Sequence, residues 1–222
     1  MSKKNTARSR PKPSSLWNRL LTAAMLVALV GAGCLVGVLL YAATNLPVWD
    51  PDQLTGDKAT LIYDDAGNIV AGLHAGENRT EITLDKIPQD LINAFIATED
   101  EHFYEHHGVN FKGIARAIVA NLTSGDLTGQ GASTITQQLA RNAFLSFDKQ
   151  WERKVKEIIL AFKLESNYSK DEILTMYLNK INFGAGAYGV QAAARTYFGK
   201  DVSGLNLAEA SLLAGLPQST NA

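Results

Sequence analysis

One ten-residue segment concentrates much of the chemistry that this chain could perform. Residues 99–108 read EDEHFYEHHG, with four acidic side chains, three histidines and no lysine or arginine. Core helices carry apolar stripes and solvated helices mix acids with lysines, so this cluster is typical of a site that handles protons or metal ions. The titratable residues are Glu99, Asp100, Glu101, His102, Glu105, His106 and His107.

A second polar segment could bind an anion or a sugar. Residues 129–142 read GQGASTITQQLARN, in which a glycine-rich approach leads into hydroxyl and amide side chains at the start of a predicted helix. Helix N-termini bind anions through their free backbone N–H groups. An N-cap at Ser133 or Thr134 would use one hydroxyl and leave Gln137 and Gln138 without a capping role.

A third polar segment supplies both signs of charge. Residues 151–158 read WERKVKEI and place Arg153, Lys154 and Glu157 within two helical turns. The basic groups could hold a phosphate, while the carboxylate could relay a proton or position a metal ion. Taken alone, the pattern is also typical of a solvated helix face.

Two short templates compete with these segments. HFYEH at residues 102–106 matches the H-x-x-E-H pattern of inverted zinc peptidases, but that interpretation leaves Glu99, Asp100 and the downstream motifs unexplained. GAGAYG at residues 184–189 matches the dinucleotide-binding G-x-G-x-x-G pattern, yet it follows a helical stretch instead of a strand. We therefore give both templates little weight.

Composition and charge divide the chain into unlike regions. With 222 residues and 46% hydrophobic content, it can form one globular domain and an appendage. Six basic residues and no acid precede Asp50, so a net charge of −1 for the whole chain leaves −7 for the remainder. Cys34 is the only cysteine, which excludes an intramolecular disulfide.

The region after the basic tail is apolar enough to cross a membrane. Residues 20–43 form an uncharged run of 24 residues, whereas about 20 apolar residues span a bilayer as a helix. The run exceeds the apolar core of a cleaved signal peptide, which has about 7 to 15 residues, so we predict an uncleaved anchor. The positive-inside rule places residues 1–19 in the cytoplasm and the bulk of the chain on the outer face.

A short β region followed by helices is predicted after the anchor. Residues 59–73 contain two β-prone runs around a turn signal at 65–68, which predicts a hairpin, and an extended run follows at 79–84. Pro88 suits the first position of a helix that reaches Glu99. Further helices are predicted at residues 111–122, 134–145, 149–166, 170–179, 188–197 and 207–214. The predicted fold class is mainly α (α+β), with a linker and hairpin region at 44–87 and a helical domain at 88–222.

Capping signals and apolar spacing refine the predicted helices. Ser169 with Glu172 fits a capping box, and Asn206 with Glu209 fits its Asx form. In the helix predicted at 149–166, helical spacing predicts a core-facing stripe. The stripe consists of Trp151, Val155, Ile158, Ile159 and Phe162.

Five motifs, in order and spacing, resemble those of the bacterial peptidoglycan glycosyltransferases of family 51, found in class A penicillin-binding proteins and in monofunctional transglycosylases. The motifs are E-D-x-x-F-x-x-H-x-G at 99–108, G-x-S-T-I-T-Q-Q at 131–138, R-K-x-x-E at 153–157, K-x-x-I-L-x-x-Y-L-N at 170–179 and A-x-x-Y-F-G-K at 194–200. The resemblance runs from about residue 92 to residue 218. The preceding hairpin resembles the class A proteins, so we expect the N-terminal part of a longer, bifunctional chain.

The resemblance implies a lysozyme-like helical domain that polymerises lipid II with inversion at the anomeric carbon and releases undecaprenyl pyrophosphate. By motif position, Glu99 resembles the general base and Glu157 the second catalytic carboxylate. Arg141, Arg153 and Lys154 suit the charge that grows on the pyrophosphate. The other matching positions, which shape the site or touch substrate, are Asp100, Phe103, His106, Ser133, Thr134, Gln138 and Asn142.

The same resemblance sets expectations for cofactors, partners and location. It requires no cofactor with certainty, and it leaves a divalent cation, Mg²⁺ or Mn²⁺, beside the pyrophosphate as an open alternative with Glu157 as the best candidate ligand. The expected partners are lipid II, the growing glycan chain and the membrane, with other cell wall synthesis or division proteins as further candidates and no nucleic acid. The expected location is the inner membrane of a bacterial cell, crossed once.

Three questions remain open at the level of sequence. A lysozyme-like glycan-cleaving enzyme also uses an acidic residue beside a sugar-binding groove, although the basic residues favour a pyrophosphate donor. A noncatalytic membrane-anchored scaffold would explain the span but not the five motifs. Finally, residues 111–122 form an amphipathic pattern that fits either the lipid headgroup boundary or the protein core.

Overall fold

The structure is a computed structural model that describes residues 16–55, 60–65, 69–73, 78–124, 133–145 and 150–220. Three sequence-based predictions fall outside the described residues: the basic tail up to residue 15, the turn at residues 66–68 and the glycine-rich approach at residues 129–132. The chain divides into two compact units, Met1–Asn45 and Leu46–Ala222.

The first unit contains one long apolar helix. Helix α1 (Leu16–Thr44) has 29 residues, and it is long and apolar enough to cross a membrane. At 1.5 Å per residue it measures about 44 Å, more than the hydrocarbon thickness of about 30 Å. The helix begins four residues before the predicted span of 20–43 and includes Arg19.

The predicted hairpin forms near the start of the second unit. Strands β1 (Thr60–Tyr63) and β2 (Ile69–Leu73) pair antiparallel, with Thr60 opposite Leu73 and a register shift between Ile62 and Tyr63. A short strand β3 (Asn78–Arg79) pairs in parallel with β4 (Ala187–Tyr188). Beyond β3, the side chain of Asn179 bonds both the N–H and the C=O of Ile82, so an amide replaces a neighbouring strand.

Helices form most of the second unit, which confirms the mainly α fold class. α4 packs against both α5 and α6, and α2 packs against α8. The helices are α2 (Gln89–Glu99), α3 (Phe111–Ser124), α4 (Ile135–Phe144), α5 (Gln150–Asn167), α6 (Lys170–Lys180), α7 (Val190–Phe198) and α8 (Leu207–Thr220).

A buried aromatic cluster fixes the end of α2 that carries Glu99. The ring of Phe95 makes edge contacts with Tyr177 on α6 and with Phe183, at centroid distances of 6.1 and 6.0 Å. Such pairs contribute about 0.5 to 1.5 kcal/mol beyond their buried area. The last turn of α2 is therefore held against α6.

The predicted capping signals are confirmed. Ser169 and Glu172 form a reciprocal capping box at the start of α6, and Asn206 and Glu209 exchange side-chain to backbone bonds at the start of α8. The predicted end of the last helix at residue 214 is wrong, because α8 continues through Pro217 to Thr220. Pro217 is buried, so packing outweighs the hydrogen bond that its missing N–H removes.

The predicted core stripe of α5 is wrong, because none of its five residues is buried in the structure. Trp151 and Phe162 are exposed, whereas Glu157, Leu160 and Leu164 are buried. Helical spacing identified an apolar face correctly, but periodicity does not tell whether protein or another apolar medium covers that face.

Candidate active site

The carboxylate of Glu99 is held at one oxygen and free at the other. Glu99 ends α2, and its Oε2 accepts a 2.7 Å hydrogen bond from Nε2 of Gln138 on α4. Its Oε1 is buried and has no hydrogen-bond partner among the described residues. Because buried acceptors are nearly always paired, an unpaired carboxylate oxygen suits a base that awaits a substrate hydroxyl.

Asp100 connects the acidic segment to the start of α4. Its buried carboxylate accepts from His106 Nε2 at 2.9 Å and from the backbone N–H of Ile135, the first residue of α4, at 3.1 Å. A carboxylate is favourable at a helix N-terminus because the free N–H groups and the helix dipole attract negative charge. Asp100 thus positions α4 relative to Glu99.

The start of α4 is fixed by a capping box and by a bond to the first motif. Thr134 accepts from the N–H of Gln137, and the Gln137 side chain accepts from the N–H of Thr134. The Thr134 hydroxyl also donates to the carbonyl of Gly108 at 2.6 Å. The prediction that Gln137 lacks a capping role is therefore wrong, because the box needs a residue with a side-chain acceptor at its position.

Position 108 requires glycine for steric reasons. Its φ angle is +85°, and an added Cβ would lie 3.0 Å from the carbonyl carbon and oxygen of Ala161. The first motif can therefore pass close to α5 only with glycine at this position.

A cluster of opposite charges lies on α5. Glu157 is only 2% exposed, and its two oxygens contact Arg153 Nε at 3.5 Å and Lys154 Nζ at 3.1 Å. Lys154 Nζ also donates to the hydroxyl of Ser133 at 2.6 Å. The buried carboxylate therefore orients two cations whose side chains are partly exposed.

A pocket of about 130 Å³ lies beside the acidic segment. Glu99, Asp100 and Ser133 line it, and Ser133 is also the hydrogen-bond acceptor of Lys154. The other lining residues are Glu101, His102, Asn110, Gly113, Arg116, Ala117 and Thr134. The sequence predicted neither Asn110 nor Arg116 as site residues, because neither belongs to a motif quoted above.

The remaining predicted residues lie around this pocket in different roles. Phe103 is completely buried, and His106, whose side chain is 9% exposed, lines a separate cavity of about 450 Å³. Gln138 is buried beside Glu99. Arg141 and Asn142 lie on the last turns of α4 and, in the part of the chain that is described, do not line the pocket.

A second, partly buried ion pair was not predicted from the sequence. Glu165 accepts from Lys170 Nζ and from the hydroxyl of Thr136, both at 2.7 Å, and so joins α4 to the junction of α5 and α6. Lys170 Nζ also lies 4.5 Å from the ring centre of Phe103. Thr136 is 29 positions from Glu165, and no local pattern reveals a pair at that separation.

The described residues offer a poor ligand set for a metal ion. Both oxygens of Glu157 already contact cationic side chains. No group of three or more His, Cys, Asp or Glu side chains able to hold a metal ion is found among the described residues. Residues 101–108 form turns, so His102 and His106 do not share a helix face as the zinc template requires.

Comparison with known proteins identifies the family of this chain. The transglycosylase family matches residues 66–222, which include all five motifs. The chain belongs to the transglycosylase family. Membership confirms the predicted enzyme class, a peptidoglycan glycosyltransferase of cell wall synthesis.

Similar proteins include penicillin-binding proteins from distant bacteria. Penicillin-binding protein 1A of Escherichia coli is 48% identical over 89% of this transglycosylase chain, and penicillin-binding protein 1F of Bacillus subtilis is 41% identical over 90%. The matches cover 23% and 28% of those proteins, so the chain spans about a quarter of the length of these curated relatives. The crystal structure of penicillin-binding protein 1A from Haemophilus influenzae matches 73% of this chain and 14% of that one, at 26% identity and a TM-score of 0.33.

Proposed function

We propose that this transglycosylase polymerises lipid II and that Glu99 is its general base. The supporting observation is the asymmetric environment of the Glu99 carboxylate: Oε2 accepts from Gln138, whereas the buried Oε1 has no partner among the described residues. The pocket beside Glu99 reaches Ser133 and, through it, the cation Lys154. A base and the hydrogen-bond partner of a cation thus line one small pocket.

The proposed reaction is a single displacement. The 4-hydroxyl oxygen of the acceptor sugar forms a bond to the anomeric carbon of the donor while the bond from that carbon to the pyrophosphate oxygen breaks. The hydroxyl proton passes to Oε1 of Glu99, and the bonding electrons leave with the undecaprenyl pyrophosphate. Attack opposite to the leaving group inverts the anomeric carbon.

Cationic side chains stabilise the departing pyrophosphate in this proposal. Lys154 and Arg153 are held by the buried carboxylate of Glu157, so their positions are set before substrate arrives. Charges that need no reorganisation during the reaction stabilise a transition state most effectively. Glu157 acts here by orienting the cations, and a divalent cation at the pyrophosphate remains a sequence-based prediction that activity in the presence of a chelator would test.

The same enzyme works at a membrane surface in this proposal. On α3, Phe111, Val119 and Leu122 are 67, 62 and 71% exposed. Phe111 also lines a cavity of about 450 Å³ together with Phe162 of α5. Exposed apolar side chains next to Lys112 suit the headgroup boundary of a bilayer, where the lipid-linked substrate resides. The N-terminus lies in the cytoplasm and the catalytic domain on the outer face.

Incubation of the purified chain with lipid II in detergent tests the proposal. We expect long glycan strands and undecaprenyl pyrophosphate from the parent chain, and a loss of at least about 100-fold in rate from Glu99→Gln, which keeps the shape but removes the base. Shortened preformed glycan would indicate the glycan-cleaving alternative. No reaction from a folded parent chain would indicate a scaffold.

A further inference from the structure

Tyr177 is a buried residue outside the pocket that is connected to the base through the side chain of Gln138. It lies on α6, is 1% exposed, and its ring contacts Phe95 one turn before Glu99. Its hydroxyl donates to Oε1 of Gln138 at 3.3 Å, and Nε2 of the same amide donates to Glu99 at 2.7 Å. A chain of two hydrogen bonds therefore runs from Tyr177 to Glu99.

The direction of these bonds determines which end of the Gln138 amide faces the Glu99 carboxylate. The two ends of a glutamine amide have almost the same shape but opposite hydrogen-bonding character, and an ionised carboxylate only accepts. Burial raises the pKa of Tyr177 well above its ordinary value, and the negative charge of Glu99 raises it further. The phenol therefore keeps its proton and donates to the amide oxygen, which leaves the amide NH₂ to face Glu99.

The opposite amide orientation would be unfavourable for the base. With the amide reversed, the carbonyl oxygen of Gln138 would face Oε2 of Glu99, and two acceptors would repel each other in a buried site. The phenol oxygen would then accept from the NH₂ group, because a tyrosine hydroxyl accepts as well as donates, but the phenol proton would lose the Gln138 oxygen as its acceptor. The Tyr177 hydroxyl and the Glu99 carboxylate thus favour the same amide orientation.

We propose that Tyr177 is a positioning residue for glycosyl transfer: its hydroxyl fixes the Gln138 amide so that Gln138 bonds one oxygen of Glu99 and leaves the other to accept the substrate proton. This inference rests on the proposed role of Glu99 as base. The motif that contains Tyr177 assigns no role to its hydroxyl. The two hydrogen bonds of the Gln138 side chain, to Tyr177 and to Glu99, are the observations that indicate this role.

The substitution Tyr177→Phe in the whole chain, assayed with lipid II in detergent, tests the proposal. It removes the hydroxyl and keeps the ring that packs on Phe95. We expect kcat to fall about threefold to tenfold, the scale of one hydrogen bond between neutral groups, and KM to stay within about twofold. The acid limb of the kcat profile should move to higher pH, because a freed amide stabilises the carboxylate less. A merely structural role would not move this limb.

Gln138→Glu provides a second variant that leaves Tyr177 in place. It sets a carboxyl group against Glu99, imitates the reversed amide, and should move the acid limb in the same direction. In the background of Gln138→Met, the change Tyr177→Phe should have no further effect on kcat. Tyr197→Phe is the matched control. The Tyr197 hydroxyl donates to the Phe183 carbonyl at a distance of 2.7 Å and takes no part in the bonds between Tyr177, Gln138 and Glu99. The kinetics of this variant should equal those of the parent.

Two outcomes overturn the inference: parental kinetics for Tyr177→Phe with a parental melting temperature, or equal effects of Tyr177→Phe with and without Gln138. If Tyr177→Phe does not fold, an unmoved acid limb in Gln138→Glu overturns it instead. Failure of the proposed function is distinguishable, because the parent chain itself would then form no glycan strands. Failure of the base role alone is distinguishable too, because Glu99→Gln would then retain polymerisation whatever the Tyr177 variants do.

Discussion

Ser133 is the residue at which the two charged clusters meet. It lines the pocket beside Glu99 and accepts a 2.6 Å hydrogen bond from Lys154, whose ammonium also contacts the buried Glu157. The uncharged hydroxyl of Ser133 fixes the Lys154 ammonium beside a residue that lines the pocket. Lys154 is therefore available to an anionic substrate group from a fixed position.

Removal of this cation should slow the transfer step. We expect Lys154→Met to lower kcat about 10- to 100-fold, the usual effect of losing one group that stabilises developing charge. Lys163→Met is the control, since Lys163 lies on the same helix and its ammonium rests over the ring of Trp49, away from Ser133. Steady-state kinetics with lipid II provide the measurement, and equal kcat values for the two variants would contradict the assignment.

Tyr177 should also make the stability of the protein depend on alkaline pH. Burial raises its pKa in the folded state well above the ordinary value of 10.0. The stabilisation is thus complete below about pH 10 and is lost as pH rises toward the folded value, by at most about 1.4 kcal/mol per pH unit. We expect the melting temperature to fall more steeply between pH 9 and pH 11 in the parent than in Tyr177→Phe, on a scale of roughly one titrating group.

Tyr104 is the internal reference for that experiment. Burial and its hydrogen bond to Asp171 raise the pKa of Tyr104 to about 12, so it contributes a similar slope to both proteins. Tyr104→Phe should reduce the slope equally in the parent and in Tyr177→Phe. Parallel melting curves for the parent and Tyr177→Phe would show that Tyr177 does not titrate differently on unfolding.

Sequence patterns predicted single site residues better than their partners. Glu99, Asp100 and Ser133 were predicted from motifs, and the structure brings all three to one pocket. The role of Tyr177 required knowledge that its hydroxyl, 39 positions from Gln138, reaches that amide. Arg116 on α3 also lines the pocket and was not predicted. Its sequence neighbourhood shows only an amphipathic helix, and the fold alone brings it to the site.

Among the elements, α4 depends most directly on its first residues. Thr134 caps the helix and also donates to Gly108, so one hydroxyl joins α4 to the first motif. The N–H of Ile135 is taken by Asp100. The orientation of α4, which carries Gln138, is therefore set at its N-terminus.

Loss of the Thr134 hydroxyl should reduce stability and activity together. We expect Thr134→Val to lower the free energy of unfolding by about 2 kcal/mol, since it removes an N-cap and a buried hydrogen bond. Ser169→Ala removes the corresponding cap from α6, where the box is exposed, and should cost about 1 kcal/mol with kcat unchanged. Thermal unfolding and lipid II kinetics of both variants check this, and a smaller loss for Thr134→Val than for Ser169→Ala would contradict it.

Helix positions were predictable where local chemistry determines them, and helix faces were not. The capping residues Ser169 and Asn206 placed the starts of α6 and α8 correctly. The face of α5 was assigned wrongly because Trp151 and Phe162 have the spacing of core residues but lie exposed. Conversely, Glu157 is buried although it is charged, because Arg153 and Lys154 compensate its charge.

At the scale of the whole molecule, the misassigned residues of α5 and the exposed residues of α3 have a common explanation. Phe162 and Phe111 line the same cavity, and Val119 and Leu122 extend the exposed apolar surface along α3. Soluble monomers rarely expose such groups together. A domain that takes its substrate from a bilayer would have this composition at the membrane boundary, in addition to the apolar helix α1.

This proposal predicts that the exposed apolar side chains of α3 affect the reaction rate in lipid vesicles but not in detergent micelles. In lipid vesicles that contain lipid II, we expect the double variant Val119→Ser with Leu122→Ser to lose at least about tenfold in rate, because each exposed side chain contributes up to about 1.5 kcal/mol of apolar transfer. With lipid II dissolved in detergent micelles, the same variant should differ from the parent by less than about twofold, because micelles adapt to the protein surface. Leu212→Ser on α8 is the control, since Leu212 is 58% exposed outside α3 and should be neutral in both settings. Equal losses in vesicles and micelles would instead assign Val119 and Leu122 to the stability of the domain, and the melting temperature of the double variant separates that case from the first.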